Sequence, residues 1–248
     1  KQNASDEEIQ SLINQIPQHF LTQKNDIIMI CQLFAHYAKF TSHLIRGNAI
    51  KLFEKIKTPI KTYLKDDSNF LCKIFKGFYY FELMMYENGL ITIDDIIMSI
   101  LVDKSSLEAE YFLPEIIKER PEIFEKEIKY YIKSPYSDDY LQKFKDTRQK
   151  HIQWVRSSCD FHDPLYQEIE TNKLRLSIKM DDVDTFQRIL SNSNLSIDMK
   201  IDESIFDNYL PVPDSIYLIE LAINYDSINI FKFLIMNNVR ISEEMNFQ

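Results

Sequence analysis

Leu174-Arg175-Leu176-Ser177-Ile178, followed by Asp181-Asp182-Val183-Asp184-Thr185-Phe186-Gln187-Arg188-Ile189-Leu190, is the stretch that decides the fold, because the chain repeats it. The same pattern returns as Ile219-Glu220-Leu221-Ala222-Ile223 and Asp226-Ser227-Ile228-Asn229-Ile230-Phe231-Lys232-Phe233-Leu234-Ile235, 45 residues on (Leu174 to Ile219). Each copy reads as a short helix, a tight turn at an aspartate and a second helix. Ser177 and Ala222 stand at the same place, where a small side chain lets two helices approach closely. The reading requires these small steps to face inward.

Outward from the repeat, the dominant period is also helical. Ile27, Ile30, Cys31, Phe34, Tyr37, Ala38, Leu44 and Ile45 make one apolar stripe, after which Gly47 suits a left-handed helix end. Phe70, Leu71, Ile74, Phe75, Phe78, Phe81 and Met85 make a second, closed by Asn88-Gly89. Ile93, Ile96, Ile97 and Ile100 make a third. Thr92 with Asp95 forms a capping-box pattern there, repeated at Ser5 with Glu8 and at Ser105 with Glu108. Pro114, Pro121 and Pro164 fit first helical turns, where a missing N–H costs nothing. Alternation of strand length is absent. Residues 1 to about 165 therefore read as a helical domain of eight to ten helices, and residues 166–248 as repeats with units at about 172–195 and 215–241. The fold class is all-α.

Composition narrows the function. Glycine occurs only three times in 248 residues, which removes the clustered glycines of phosphate-cradling loops. A net charge of −9 argues against wholesale nucleic-acid binding, which needs a concentrated positive surface. Ile27 to Ala35, the longest apolar run, is interrupted by Gln32 and is far short of a membrane span. The polar start, Lys1 to Gln10, does not read as a signal peptide. Three separated cysteines, Cys31, Cys72 and Cys159, fit reduced thiols in a cytoplasmic protein.

The two units resemble the ankyrin repeat. Leu221-Ala222 matches that family's Leu-Ala core step, Ile230 to Ile235 its apolar outer helix, and Asn237-Asn238-Val239-Arg240-Ile241 its Gly-Ala-Asp-Val turn. Asparagine tolerates the left-handed conformation that glycine supplies there. The family's Thr-Pro-Leu-His opening is Tyr217-Leu218-Ile219-Glu220 here, and Asp181 and Asp226 stand for its turn glycine. The spacing exceeds the family's period of about 33 residues, so Leu195 to Asp214 carries an insertion. Tyr111 to Ile116, Asp181 to Gln187, Lys200-Ile201 with Ser204-Ile205-Phe206, and Leu218 to Leu234 are similar to a divergent ankyrin subgroup expanded in parasitic protists. The resemblance implies a solenoid of helix pairs that binds protein partners. It places the contact face at Arg175, Lys179 and Met180 in the first unit and Tyr217, Asn224 and Tyr225 in the second. Two units are fewer than such a stack needs. The chain also stops at Glu243 to Gln248 without a polar capping helix, so the natural protein is expected to continue with more repeats.

Other chemistry carries less weight. Cys159 with His162 and nearby His151 lacks the second ligand pair of a structural zinc site. His19, His36 and His43 could approach Cys31 or Cys72, but no family signature of a cysteine nucleophile surrounds them. The pairs Asp66-Asp67, Asp94-Asp95, Asp138-Asp139 and Asp181-Asp182 fall near helix ends, where capping and the helix dipole account for them. No catalytic residue, metal ligand or cofactor is assigned. Arg46, Lys51, Lys55, Lys57, Lys61, Lys65, Lys73 and Lys76 face only Glu54, Asp66 and Asp67, a local net of +5 that suits an acidic partner surface. Trp154 is expected at the junction of helical part and repeats. The expected function is a protein-interaction module or adaptor. The alternatives are a structural component of a stable assembly, such as the cytoskeleton, and an enzyme concealed in residues 1–165.

Overall fold

Fourteen α-helices against two three-residue strands, among the described residues, make this an all-α protein. The computed structural model describes residues 11, 16, 21–40, 46–132, 137–157, 160–202, 204, 206 and 215–241. Ser5 with Glu8, His19, His43, Leu44, Ile45, Cys159 and Ile205 lie outside them. The described chain forms two compact units that part between Gln149 and Lys150, where the sequence reading put the boundary after residue 165.

The first unit contains α1 (Lys24–Phe40), α2 (Arg46–Tyr63), α3 (Ser68–Phe75), α4 (Tyr79–Glu87), α5 (Ile93–Asp103), α6 (Ser106–Tyr111), α7 (Leu113–Glu119), α8 (Pro121–Lys126), a 3-10 turn (Ile128–Tyr130) and α9 (Asp138–Ser157) as far as Gln149. Ile27, Cys31 and Phe34 turn one face of α1 inward as the stripe requires. Phe34 meets the Phe75 and Phe81 rings at centroid distances of 5.4 and 5.1 Å, the latter edge-on. Aromatic pairs prefer such tilted contacts because ring edges are positive and faces negative. Arg148 of α9 forks onto both Glu115 oxygens at 2.7 and 2.6 Å and donates to the Tyr111 carbonyl at 2.7 Å. That bidentate pair fastens α9 to α6 and α7.

Two sequence expectations change here. The stripe from Phe70 to Met85 is not one helix: it breaks between α3 and α4 at Gly77, whose φ of 82° no helix accommodates. Gly47 does not end a helix but is the second residue of α2, in the first turn, where no intrahelical acceptor is required of its N–H. Other signals hold. Gly89 is left-handed at φ 66°. Thr92 accepts from Asp95 N at 3.2 Å, and Asp95 accepts from Thr92 N at 2.8 Å. Prolines lie in the first turns of α7, α8 and α10.

The second unit takes the rest of α9, then α10 (Pro164–Ile169), α11 (Lys173–Lys179), α12 (Val183–Ser193), β1 (Lys200–Asp202), β2 (Ser215–Tyr217), α13 (Leu218–Asn224) and α14 (Ile228–Met236). Its core is aromatic. Trp154 is fully buried, stacks on Phe161 at 5.6 Å, touches Tyr166 at 4.3 Å and donates its indole N–H to the Asp160 carbonyl. The helices then form two pairs: α11 packs on α12 and α13 on α14, while α11 also meets α13 and α12 meets α14. Ser177 and Ala222 are both buried. The strands do not replace these helices. They join the pairs as an antiparallel ribbon with Ile201 opposite Ile216.

Replacing Thr92 by alanine removes one half of the α5 capping box. Urea titration should show a loss of about 1 kcal/mol with an unchanged m-value.

Candidate functional site

The two helix pairs superimpose in numbering. α11 and α13 start at Lys173 and Leu218, α12 and α14 at Val183 and Ile228, each 45 positions apart. Asp181 and Asp226, which stand for the turn glycine, occupy equivalent turns at φ 53° and 55°, in the left-handed region. Asparagine does the same at Asn194 and Asn238, φ 49° and 59°.

The turn aspartate does more than bend the chain. Asp181 reaches the start of α14, where its carboxylate accepts from Asn229 N at 3.0 Å, Asn229 Nδ2 at 2.8 Å and Ile230 N at 2.9 Å. The first turn of a helix has N–H groups with no intrahelical acceptor and carries partial positive charge. A carboxylate from the preceding pair satisfies both needs. Beside it, the Ser227 hydroxyl donates to the buried Ile178 carbonyl, and the Phe186 and Phe233 rings meet edge-on at 5.9 Å. Asp182 works locally instead. It caps α12 by accepting from Thr185 N at 3.0 Å, which holds its carboxyl below the usual range.

Of the residues assigned to a contact face, Arg175, Lys179 and Tyr225 are buried. Lys179 Nζ lies 2.9 Å from Glu170 Oε2 and 2.5 Å from the Tyr166 hydroxyl. It sits over the Tyr225 ring at 5.1 Å, within cation–π range. Arg175 Nη1 is 3.6 Å from the same Glu170 oxygen. A buried carboxylate needs such cations, so these residues serve the core rather than a partner. Met180, Tyr217 and Asn224 are half-buried. Tyr217 lies under the Lys200 ammonium at 4.6 Å across the strand pair.

The surface that remains open is the flank of the second pair. Ile178 is 0% exposed but its counterpart Ile223 is 37%; Leu190 is 6% exposed but its counterpart Ile235 is 41%. Ile228, Met236 and Ile241 are exposed nearby. The sequence reading did not pick out this flank. The signal for it was the repeat itself: apolar residues at positions whose counterparts in the first copy are buried.

The first unit holds a different concentration of charge. Glu82 of α4 and Glu108 of α6 are both buried. Burial pushes the Glu108 carboxyl up to about 7. Burial, with the Glu108 charge next, raises Glu82 well above the usual carboxylate range. Ser99 donates to Glu108 at 3.3 Å, while Lys76, also near both carboxyls, pairs with Asp103 at 2.5 Å. The sequence signal was a glutamate inside the apolar run Phe81 to Met85. Burial likewise pushes the Cys31 and Cys72 thiols up to about 12, so both are protonated at neutral pH. No group of three His, Cys, Asp or Glu placed to hold a metal occurs among the described residues. Of the basic stretch, Lys51, Lys61, Lys65 and Lys73 are exposed, Lys57 pairs with Glu54 at 2.5 Å, and Lys76 is taken by Asp103. No protein-family model, curated protein or solved structure matches the chain.

Two outcomes follow from these clusters. Glu82 and Glu108 bind protons more tightly folded than unfolded, so they favour the folded state most at low pH. That contribution falls as pH rises from about 4.5 through about 7. Unfolding titrations from pH 4 to 8 should show this fall, and Glu108→Gln should reduce it by on the order of 3 kcal/mol. Separately, Lys179→Met should destabilise the second unit by about 3 kcal/mol, because it strips a buried carboxylate of its closest cation.

Proposed function

We propose that this chain is a non-catalytic protein-interaction module whose contact surface is the open flank of its second helix pair, in an ankyrin-like stack. One observation carries the reading: positions closed over in the first pair, Ile178 and Leu190, are open in the second as Ile223 and Ile235. Exposed aliphatic residues grouped on one face mark interaction sites. The 45-residue register, left-handed turn aspartates and buried small steps at Ser177 and Ala222 support the resemblance to ankyrin units. The buried carboxylates of the first unit are closed to solvent and so offer no reaction centre to a substrate. No helix among the described residues is long and apolar enough to cross a membrane. A cytoplasmic setting accords with the free thiols of Cys31 and Cys72.

The test is affinity capture from native extract with three full-length baits. The double variant Ile235→Lys, Met236→Lys should lose the partners that the parent retains. A variant reversing the exposed basic face, Lys51→Glu with Lys61→Glu, should keep them. Partners that survive the first and vanish with the second would place binding on the first unit.

A further inference from the structure

We infer that Glu82 and Glu108 form a proton-operated catch on the corner between α5 and α6: the corner is shut while the buried pair holds protons and opens as the pair loses them. Glu82 comes from α4 and Glu108 from the first turn of α6, and each is only 2% exposed. Glu82 Oε2 has no hydrogen-bond partner among the described residues. Glu108 Oε2 accepts from the Ser99 hydroxyl of α5 at 3.3 Å, a long bond. Around the pair stand Cys72 of α3, Lys76 and the Gly77 N–H in the turn before α4, Asp95 and Asp103 of α5, and Tyr111 of α6. Of these groups Lys76 alone is a cation, and it pairs at 2.5 Å with Asp103 at the rim, where both side chains are partly exposed. Two ionised carboxylates in this core would therefore share a poor solvent with their one neighbouring cation already engaged. The closed form escapes that cost by keeping the pair protonated.

The corner is where the fold can yield. α5 ends at Lys104, an exposed residue with left-handed backbone at φ 54°, a conformation that costs any residue but glycine. Ser105 then caps α6 by accepting from Glu108 N at 3.2 Å. The far end of α6 is fastened: Tyr111 and Phe112 are fully buried, and the Tyr111 carbonyl takes the Arg148 guanidinium. Its near end rests on the carboxyl pair and on the Lys76–Asp103 contact. Lifting residues 103–108 brings water to Glu108 and leaves the rest of the unit in place. The direction with pH follows. The closed form binds protons more tightly than the open form, so closure is most favoured at low pH and weakens as pH rises from about 4.5 through about 7.

Hydrogen exchange of the full chain, read by mass spectrometry from about pH 5 to about pH 7.5 and corrected for the intrinsic pH dependence of amide exchange, tests this. Protection of residues 103–112 should fall at least roughly tenfold across that range, while protection of residues 27–35 in α1 changes far less. Glu108→Gln, which keeps the shape of the protonated acid, should flatten the fall. A second readout needs no variant. At about pH 6, where ordinary carboxyls are ionised, infrared spectra of the parent should retain a protonated-carboxyl stretch that weakens as pH rises through about 7. Corner protection that does not change with pH would overturn the inference, and so would a missing carboxyl stretch at about pH 6. An equal fall in residues 27–35 would also overturn it, because the pair would then set the stability of the whole unit and operate no catch. The same holds for a Glu108→Gln chain that keeps the parent's fall.

Discussion

Asp181 holds the second helix pair to the first. Its backbone turns left-handed to end α11, and that turn aims the carboxylate away from its own helix and onto the start of α14. One side chain thereby stands in for a turn glycine, a helix cap and a bond between repeats. A glycine would make the turn with less strain but offers no acceptor. Hydrogen bonds to a charged group contribute about 1.5–3 kcal/mol net, more than an aspartate loses by adopting this backbone. The register of the second unit follows. With the start of α14 fixed, Ser227 falls on the Ile178 carbonyl and Phe233 against Phe186.

Around that joint the second unit is organised by burial of charge among aromatic rings. Glu170 gathers Lys179 and Arg175, and Lys179 donates to the Tyr166 hydroxyl and lies over the Tyr225 ring. Tyr225 in turn meets Phe161 edge-on at 5.5 Å, which ties it to the Trp154 cluster. The network joins the first pair (Lys179), the second pair (Tyr225) and the preceding helices (Trp154, Tyr166) within one core. Removing any one cation leaves a carboxylate in a poor solvent, so such a network constrains its members strongly. The first unit solves a related problem with protons: Glu82 and Glu108 stay in the core by holding theirs to higher pH than usual.

Much of this was legible in the residues. The recurrence of apolar spacing located both helix pairs, and Asn237-Asn238 marked a left-handed turn, because both signals are local. The Thr92 capping box and the proline starts were readable for the same reason. The break at Gly77 was missed because an apolar stripe continues across it; spacing alone does not reveal a break when both flanking helices face one core. Three of the six residues assigned to a contact face, Arg175, Lys179 and Tyr225, prove to be buried. Arg175, Lys179 and Tyr225 look like interface anchors by type, and only the fold shows that Glu170 and Tyr166 meet them underneath. Conversely, nothing in the local sequence distinguishes Asp181 from Asp226. Their difference lies wholly in what packs against them.

That difference also makes the account testable with one comparison. Asp181→Ala and Asp226→Ala remove the same side chain from the same backbone conformation, so the cost of alanine at a left-handed turn cancels between them. Equilibrium unfolding of the two variants is the decisive measurement. If Asp181 joins the pairs, its loss lowers stability by about 2–3 kcal/mol while the loss of Asp226 changes it far less. Equal losses would contradict the account, since Asp181 would then be no more than a turn residue.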